Sequence, residues 1–287
     1  MNAIELSHVT KHFPGFTLQD LSLAVPSGTI CGLVGENGAG KSTTIRLLMG
    51  GLQPDSGTCT VLGTDAASPE FLAVKEDIGV VLDEAYFPES LNALQVGDVM
   101  ARTYRRWDGK QYRNYLTRFG LPEKKQFKDF SRGMKMKLAI AVALSHSPKL
   151  LVLDEATSGL DPIVRDDILD ILYDFIQDEE HSVFLSSHIT GDLEKIADYI
   201  AFLHQGQILM AGEKDTLLQT YGLFHGTEEQ LGELPPQAVA GYRPGSFGVT
   251  ALVKRYEMPG TVGVENATLD DLMLYSIKGQ KLGKERN

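Results

Sequence analysis

The chain of 287 residues holds only two cysteines and one tryptophan. Cys31 and Cys59 each lie inside a strand-like segment, which argues against a disulfide framework or a cysteine metal site; buried, reduced thiols suited to the cytosol are expected. Long apolar runs are also missing. Apolar runs such as residues 138–144 and 150–153 fall far short of the roughly 18 residues that a membrane span needs, and Met1-Asn2-Ala3-Ile4-Glu5 has no basic leader. The chain is therefore expected to be soluble and unexported. Positive charge is scarce as well: 27 Lys and Arg stand against 38 Asp and Glu, a net charge of -11. That is the wrong sign for a protein whose main partner is a phosphate backbone, so no nucleic-acid partner is expected. No internal repeat is visible.

Hydrophobic residues make up 43% of the chain, enough for one large domain with an appendage. The stretch that organises the rest is Gly35-Glu36-Asn37-Gly38-Ala39-Gly40-Lys41-Ser42-Thr43. It is entered from the apolar run 30–34 and left through apolar residues at helical spacing, so it predicts strand, glycine-rich turn and helix, the cradle that phosphates require. Gly35, Gly38 and Gly40 let backbone N–H groups converge on phosphate oxygens, and the helix start adds its dipole. In this motif Lys41 reaches the β- and γ-phosphates and Ser42 ligates Mg²⁺.

Around the cradle, residues 4–9 and 16–25 alternate between apolar and polar about Pro14-Gly15, which predicts a small antiparallel piece. A turn over 53–57, a strand over 58–62, a short helix over 69–77 and a strand over 78–82 ending at Asp83 follow. Seven aromatic residues (Tyr86, Phe87, Tyr104, Trp107, Tyr112, Tyr115 and Phe119) then crowd a stretch of mostly helical spacing, read as a helical insert over about 85–146. They either offer a docking face or fill the insert's own core. Ser131 caps a helix through His146; residues 150–153 read as a buried parallel strand, 163–178 as a helix, 183–185 as another strand, and the residues through Ala197 as a further helix. Residues 199–203 and 207–210 suggest a hairpin and 215–221 a helix. Beyond Gly222 the chain turns richer in Gly and Pro, with one strand over 249–253 and a helix over 269–277 capped by Thr268. The expected fold is α/β: a P-loop NTPase core with a mostly parallel sheet, an N-terminal antiparallel β piece, a helical insert and a small C-terminal α+β appendage. The division is 1–221 for the ATP-binding domain and 222–287 for the accessory region. Ligands of such sheets sit at the carboxyl ends of the strands, where Gly35, Asp154 and His188 all fall.

Asp154-Glu155, after a buried strand, is a second phosphate-site signal, one carboxylate for the Mg²⁺ shell and its neighbour facing the attacking water. Alone, such a pair reads as a solvated edge or a helix-start signal; with the cradle upstream it reads as catalytic, with Glu155 as the base. Phe130-Ser131-Arg132-Gly133-Met134-Lys135 opens a helix with a hydroxyl, a glycine and nearby cations, which is either an anion site or only a cap.

In this order, residues 35–43, 130–134, 150–155, Ser158-Gly159-Leu160-Asp161 and Ser187-His188 resemble the ATPase subunit of ATP-binding cassette (ABC) transporters, over about residues 2–220. The resemblance implies that Phe13 stacks on adenine, Asp154 supports Mg²⁺, Glu155 polarises the attacking water and His188 touches the γ-phosphate. It implies that two subunits, identical or related, dock head to tail, so that Ser131 and Gly133 serve the partner's ATP and the Asp161 loop crosses between them. A separately encoded membrane permease would complete the machine and hold the subunit on the inner face of the cell membrane. Arg132 and Met134 replace a glycine and the glutamine of the family's signature, and Asp83 stands where a Mg²⁺-sensing glutamine is usual; Asp83 is expected to approach the metal with a shorter reach. The form Ser-Arg-Gly-Met-Lys resembles the multidrug, bacitracin and lantibiotic export branch. The competing expectation is a soluble ABC ATPase acting on ribosomes or DNA.

Overall fold

Alternating apolar and polar residues build two long strands at the start of the chain. In the computed structural model, which describes residues 1–83, 87–245, 248–260 and 262–282, β1 (Asn2–Phe13) and β2 (Phe16–Pro26) pair antiparallel. The bare apolar run β3 (Ile30–Val34) is buried at every residue and feeds α1 (Lys41–Leu48). β4 (Ser56–Val61) pairs with β1, and β5 (Thr64–Asp65) with β4, completing a first sheet in the order β2-β1-β4-β5. The helix expected over 69–77 is shorter: α2 (Phe71–Val74) tightens into a 3-10 turn over Lys75–Asp77 before β6 (Ile78–Val81).

The insert consists of α3 (Ala93–Thr103), α4 (Gly109–Arg118) and α5 (Arg132–Leu144). Each start is closed by a side chain: Asn92 and Gln95 form a capping box on α3, Asp108 accepts from two N–H groups of α4, and Ser131 caps α5. Most of its aromatic residues turn inward. Tyr112 is buried and its hydroxyl donates to the Ala93 carbonyl at 2.8 Å, so burial raises its phenol pKa; Trp107 packs on it at 5.0 Å between ring centroids. Tyr104 stacks on the buried His146 at 4.0 Å. Tyr112 and Phe119 thus belong to the same core as Met136, Leu138 and Ile140 of α5, with Phe87, Trp107 and Tyr115 packed against it; Tyr86 lies outside the described residues.

β7 (Leu150–Asp154), α6 (Pro162–Phe175), β8 (Ser182–Ser187), α7 (Thr190–Ile196) and the hairpin β9 (Tyr199–His204) and β10 (Gln207–Glu213) complete the second sheet, in the order β10-β9-β3-β8-β7-β6. All its pairs are parallel except β9 with β10. Period-two alternation divides the side chains between two cores. Ile30, Val34, Leu151, Leu153, Val183 and Leu185 face the insert and the helices, whereas Cys31, Leu33, Val152 and Phe184 face the first sheet. Cys31 and Cys59 are buried free thiols whose pKa is pushed up to about 12, chiefly by burial.

Residue 221, expected to end a helix, instead starts a strand. α8 (Lys214–Thr220) runs into β11 (Tyr221–Gly226), then α9 (Glu228–Gly232), β12 (Val239–Gly245), β13 (Gly248–Lys254), β14 (Glu265–Asn266) and α10 (Leu269–Lys278). The strands form a third, antiparallel sheet in the order β12-β13-β11-β14. This region is joined to the rest by packing. Leu252, Leu269 and Leu272 belong to the main core, the Leu269 N–H donates to the Glu194 carboxylate at 2.7 Å, and the Thr190 hydroxyl donates to Asp270 at 2.5 Å. No helix among the described residues is long and apolar enough to cross a membrane.

Candidate functional site

Register sets the site. Val34 of β3 lies opposite Ser187 of β8, and Ser186 opposite Asp154 of β7, so the residues that follow these strands emerge level along one edge of the sheet. On that edge stand the 35–43 loop, Asp154 and Glu155, and His188.

The loop wraps closely. A Cβ on Gly35 would lie 2.5 Å from the Leu203 carbonyl oxygen, and Gly40, at φ +113°, would drive one into Leu18 at 2.5 Å; glycine is the residue both positions admit. α1 begins directly after Gly40 with no side-chain cap, which leaves its first N–H groups to the loop's concave side, where an anion is stabilised. Glu36, Asn37, Gly38 and Ser42 are exposed, Ala39 is buried and Thr43 is half-buried. Lys41 is 6% exposed, and its Nζ donates to the Gly35 carbonyl at 2.7 Å and the Glu36 carbonyl at 3.3 Å.

The same Nζ lies 3.0 Å from Glu155 Oε1, an ion pair in which that oxygen accepts no aligned hydrogen bond. Glu155 Oε2 meets His188 Nδ1 at 2.7 Å. The glutamate backbone is left-handed, at φ +51°, a conformation that costs a non-glycine residue of order 1–3 kcal/mol and collects at functional sites. Ser186 holds it there. Its carbonyl and hydroxyl both accept from the Glu155 N–H at 3.1 Å, while its hydroxyl donates to Asp154 Oδ1 at 2.5 Å. Ser186 was not anticipated from the sequence; the signal was present in the turn from apolar 183–185 to Ser-Ser-His. Lys41, Asp154, Glu155 and His188 are therefore brought together.

A divalent cation fits this edge by its chemistry. Asp154 is 6% exposed and Glu155 9%, two buried carboxylates beside an uncapped helix start and the Ser42 hydroxyl. Among the described residues no group of three or more His, Cys, Asp or Glu converges on a metal, so a cation here would draw its remaining ligands from phosphate and water.

Phe13 ends β1, 38% exposed, with its ring 6.4 Å from that of Phe16, which in turn borders Gly40; an aromatic face thus flanks the loop. The remaining predicted residues form a second cluster. Ser131 Oγ accepts from the Met134 N–H at 3.3 Å, Asp161 caps α6 by accepting from the Val164 N–H at 3.0 Å, and Gly133 packs against Val164. Asp83 joins this cluster. Expected at the metal, it pairs with Arg132 Nη2 at 2.8 Å, since the two extended side chains meet across the gap between the end of β6 and the start of α5. Glu84, next to it, lies outside the described residues.

Residues 18–158 match the ABC transporter family. The chain is 34% identical over 200 residues to the lantibiotic transport ATP-binding protein SrtF of Streptococcus pyogenes, a match covering 69% of this chain and 85% of that protein. It is 35% identical over 227 residues to the daunorubicin/doxorubicin resistance ATP-binding protein DrrA of Streptomyces peucetius, covering 77% and 68%. Among solved structures, an ATP-binding subunit of an ABC transporter superposes with a TM-score of 0.66 at 26% identity, covering 75% of this chain and 91% of that one.

Proposed function

This chain belongs to the ABC transporter family as one of its ATP-binding, ATP-hydrolysing subunits, and we propose that it powers export through a separately encoded membrane permease. The observation that carries the reading is the convergence of Lys41, Glu155 and His188 at one strand edge. ATP would lie in the 35–43 loop, its β- and γ-phosphates against Lys41 and the N–H groups of α1, and its adenine on Phe13. Glu155, held in place by Ser186, takes the proton of the attacking water, while His188 fixes the second carboxylate oxygen and faces the γ-phosphate. Ser42 and Asp154 would hold Mg²⁺, which when bound neutralises phosphate charge. Asp83 is left out of that set because Arg132 engages its carboxylate.

Ser131, Gly133 and Asp161 we assign to the ATP of a second subunit docked head to tail; Ile163, 76% exposed beside Asp161, supports such an interface. The permease would hold the pair at the inner membrane face. Relatives named for lantibiotic transport and drug resistance support an outward direction. The region 222–287 is an accessory unit seated on α7. A ribosome or DNA remodeller is disfavoured by the net charge of -11 and by these relatives. ATP titration of the purified chain tests the site: Lys41→Ala should abolish binding, and unchanged affinity would remove the 35–43 loop as the nucleotide site.

A further inference from the structure

Arg132 and Asp83, two of the three departures from the family pattern, are bonded to each other across 49 residues of sequence. Arg132 is the first residue of α5, between Ser131 and Gly133, and Asp83 lies two residues past β6. The guanidinium has a second neighbour. It lies against Gly159, where a Cβ would come within 2.9 Å of Nη1 and 3.2 Å of Cζ. Gly159 is four residues beyond Glu155, in the loop that ends at the Asp161 cap, and its φ of +67° favours glycine. One planar cation thus bonds the end of β6 to the start of α5 and packs against the loop that follows Glu155.

We infer that Arg132 is a positioning residue: through Asp83 and the Gly159 loop it fixes the angle at which Ser131 and Gly133 are presented to the ATP of a partner subunit. This rests on the head-to-tail reading above. The geometry supports action at a distance from the chain's own cradle, because Arg132 makes no contact with Lys41, whose partners are Gly35, Glu36 and Glu155. It also supplies a route between sites. Val81 pairs with Leu153, so the strand ends that carry Asp83 and Asp154-Glu155 are neighbours, and a shift at Glu155 would reach Ser131 of the same chain through the Asp83 bond and the Gly159 contact of Arg132. The pair is about half exposed on each side, 52% and 51%, so its strength is modest and sensitive to salt.

The test is a double-mutant cycle on turnover combined with directed mixing. Arg132→Gln and Asp83→Asn should each lower kcat by about two- to fivefold, the range a half-exposed ion pair supports, while leaving the dissociation constant of a fluorescent ATP analogue unchanged. The double variant should lose no more than the worse single, and the deficit should shrink in high salt. Losses that multiply, a raised dissociation constant in step with the fall in kcat, or no loss would each overturn the inference. Mixed dimers of Lys41→Ala with Ser131→Ala chains then assign the direction, since they hold one intact composite site. Arg132→Gln should slow them when carried by the Lys41→Ala chain, which supplies the working Ser131, and not when carried by the other. The opposite pattern would place Arg132 at its own chain's ATP and refute the inference with the head-to-tail reading intact, whereas a parental mix without activity would remove that reading and the inference with it.

Discussion

Lys41 Nζ lies 3.0 Å from Glu155 Oε1, with both side chains almost wholly removed from solvent. The cation that is to meet the phosphates and the carboxylate that is to meet the water are therefore each other's partners. In the proposed site a γ-phosphate would compete with Glu155 for Lys41, and winning that competition would free the carboxylate to turn toward water, so that phosphate arrival itself would ready the base.

Glu155→Gln should separate the two roles. The amide keeps the shape but neither competes for Lys41 as a charge nor takes a proton, so ATP should bind more tightly while hydrolysis falls by about 10²- to 10⁴-fold. Turnover and nucleotide affinity measured on the same preparation check this. Hydrolysis at the wild-type rate would show that another group is the base.

Ser186 provides a second expectation. Its hydroxyl bridges Asp154 Oδ1 and the Glu155 N–H inside a fully buried strand end. Ser186→Ala leaves a carboxylate oxygen short of a donor, which should cost about 1–3 kcal/mol of stability and lower turnover through the misplaced carboxylates. Urea unfolding midpoints and ATPase rates report the two effects; loss of neither would mean that the bridge is incidental.

His146 makes stability depend on pH. Burial holds its imidazole below the ordinary value of 6.5, outweighing the Glu76 carbonyl that accepts from the ring at 3.1 Å, and its Nε2 has no partner among the described residues. Since the folded pKa is depressed, the unfolded chain takes up the proton first as pH falls below about 6.5, and stability is lost from there down to the folded value. His146→Phe keeps the stack on Tyr104 without the titration, so the wild-type melting temperature should fall relative to the variant's between about pH 7 and pH 5. Parallel melting profiles would exclude His146 as the source.

The sequence made local patterns legible and left long-range pairings hidden. β3, the loop and α1 could be read because apolar run, glycine turn and helical spacing are contiguous, and β7 because four apolar residues end at an acidic pair. The C-terminal sheet was largely missed: β12 carries Gly241, Pro244 and Gly245, β14 is two residues long, and neither shows the alternation by which strands are recognised. Nor could aromatic content alone decide between surface and core in the insert, since Tyr112 and Trp107 satisfy either pattern until their neighbours are known. Asp83 was placed at the metal by the family resemblance; only the folded chain shows that Arg132 meets it.

The central claim is that ATP is hydrolysed at sites composed from two chains, the 35–43 loop and Glu155 of one with Ser131 of the other. Mixing Lys41→Ala chains with Ser131→Ala chains tests it most directly, because a head-to-tail dimer of the two holds one site with both defects and one with neither. Each variant alone should be inactive or nearly so, and the mixture should recover hydrolysis, approaching half the wild-type rate per mixed dimer if the sites act independently. A mixture as inactive as its components, although the chains are shown to associate, would mean that Ser131 serves the ATP of its own chain and would contradict the composite site.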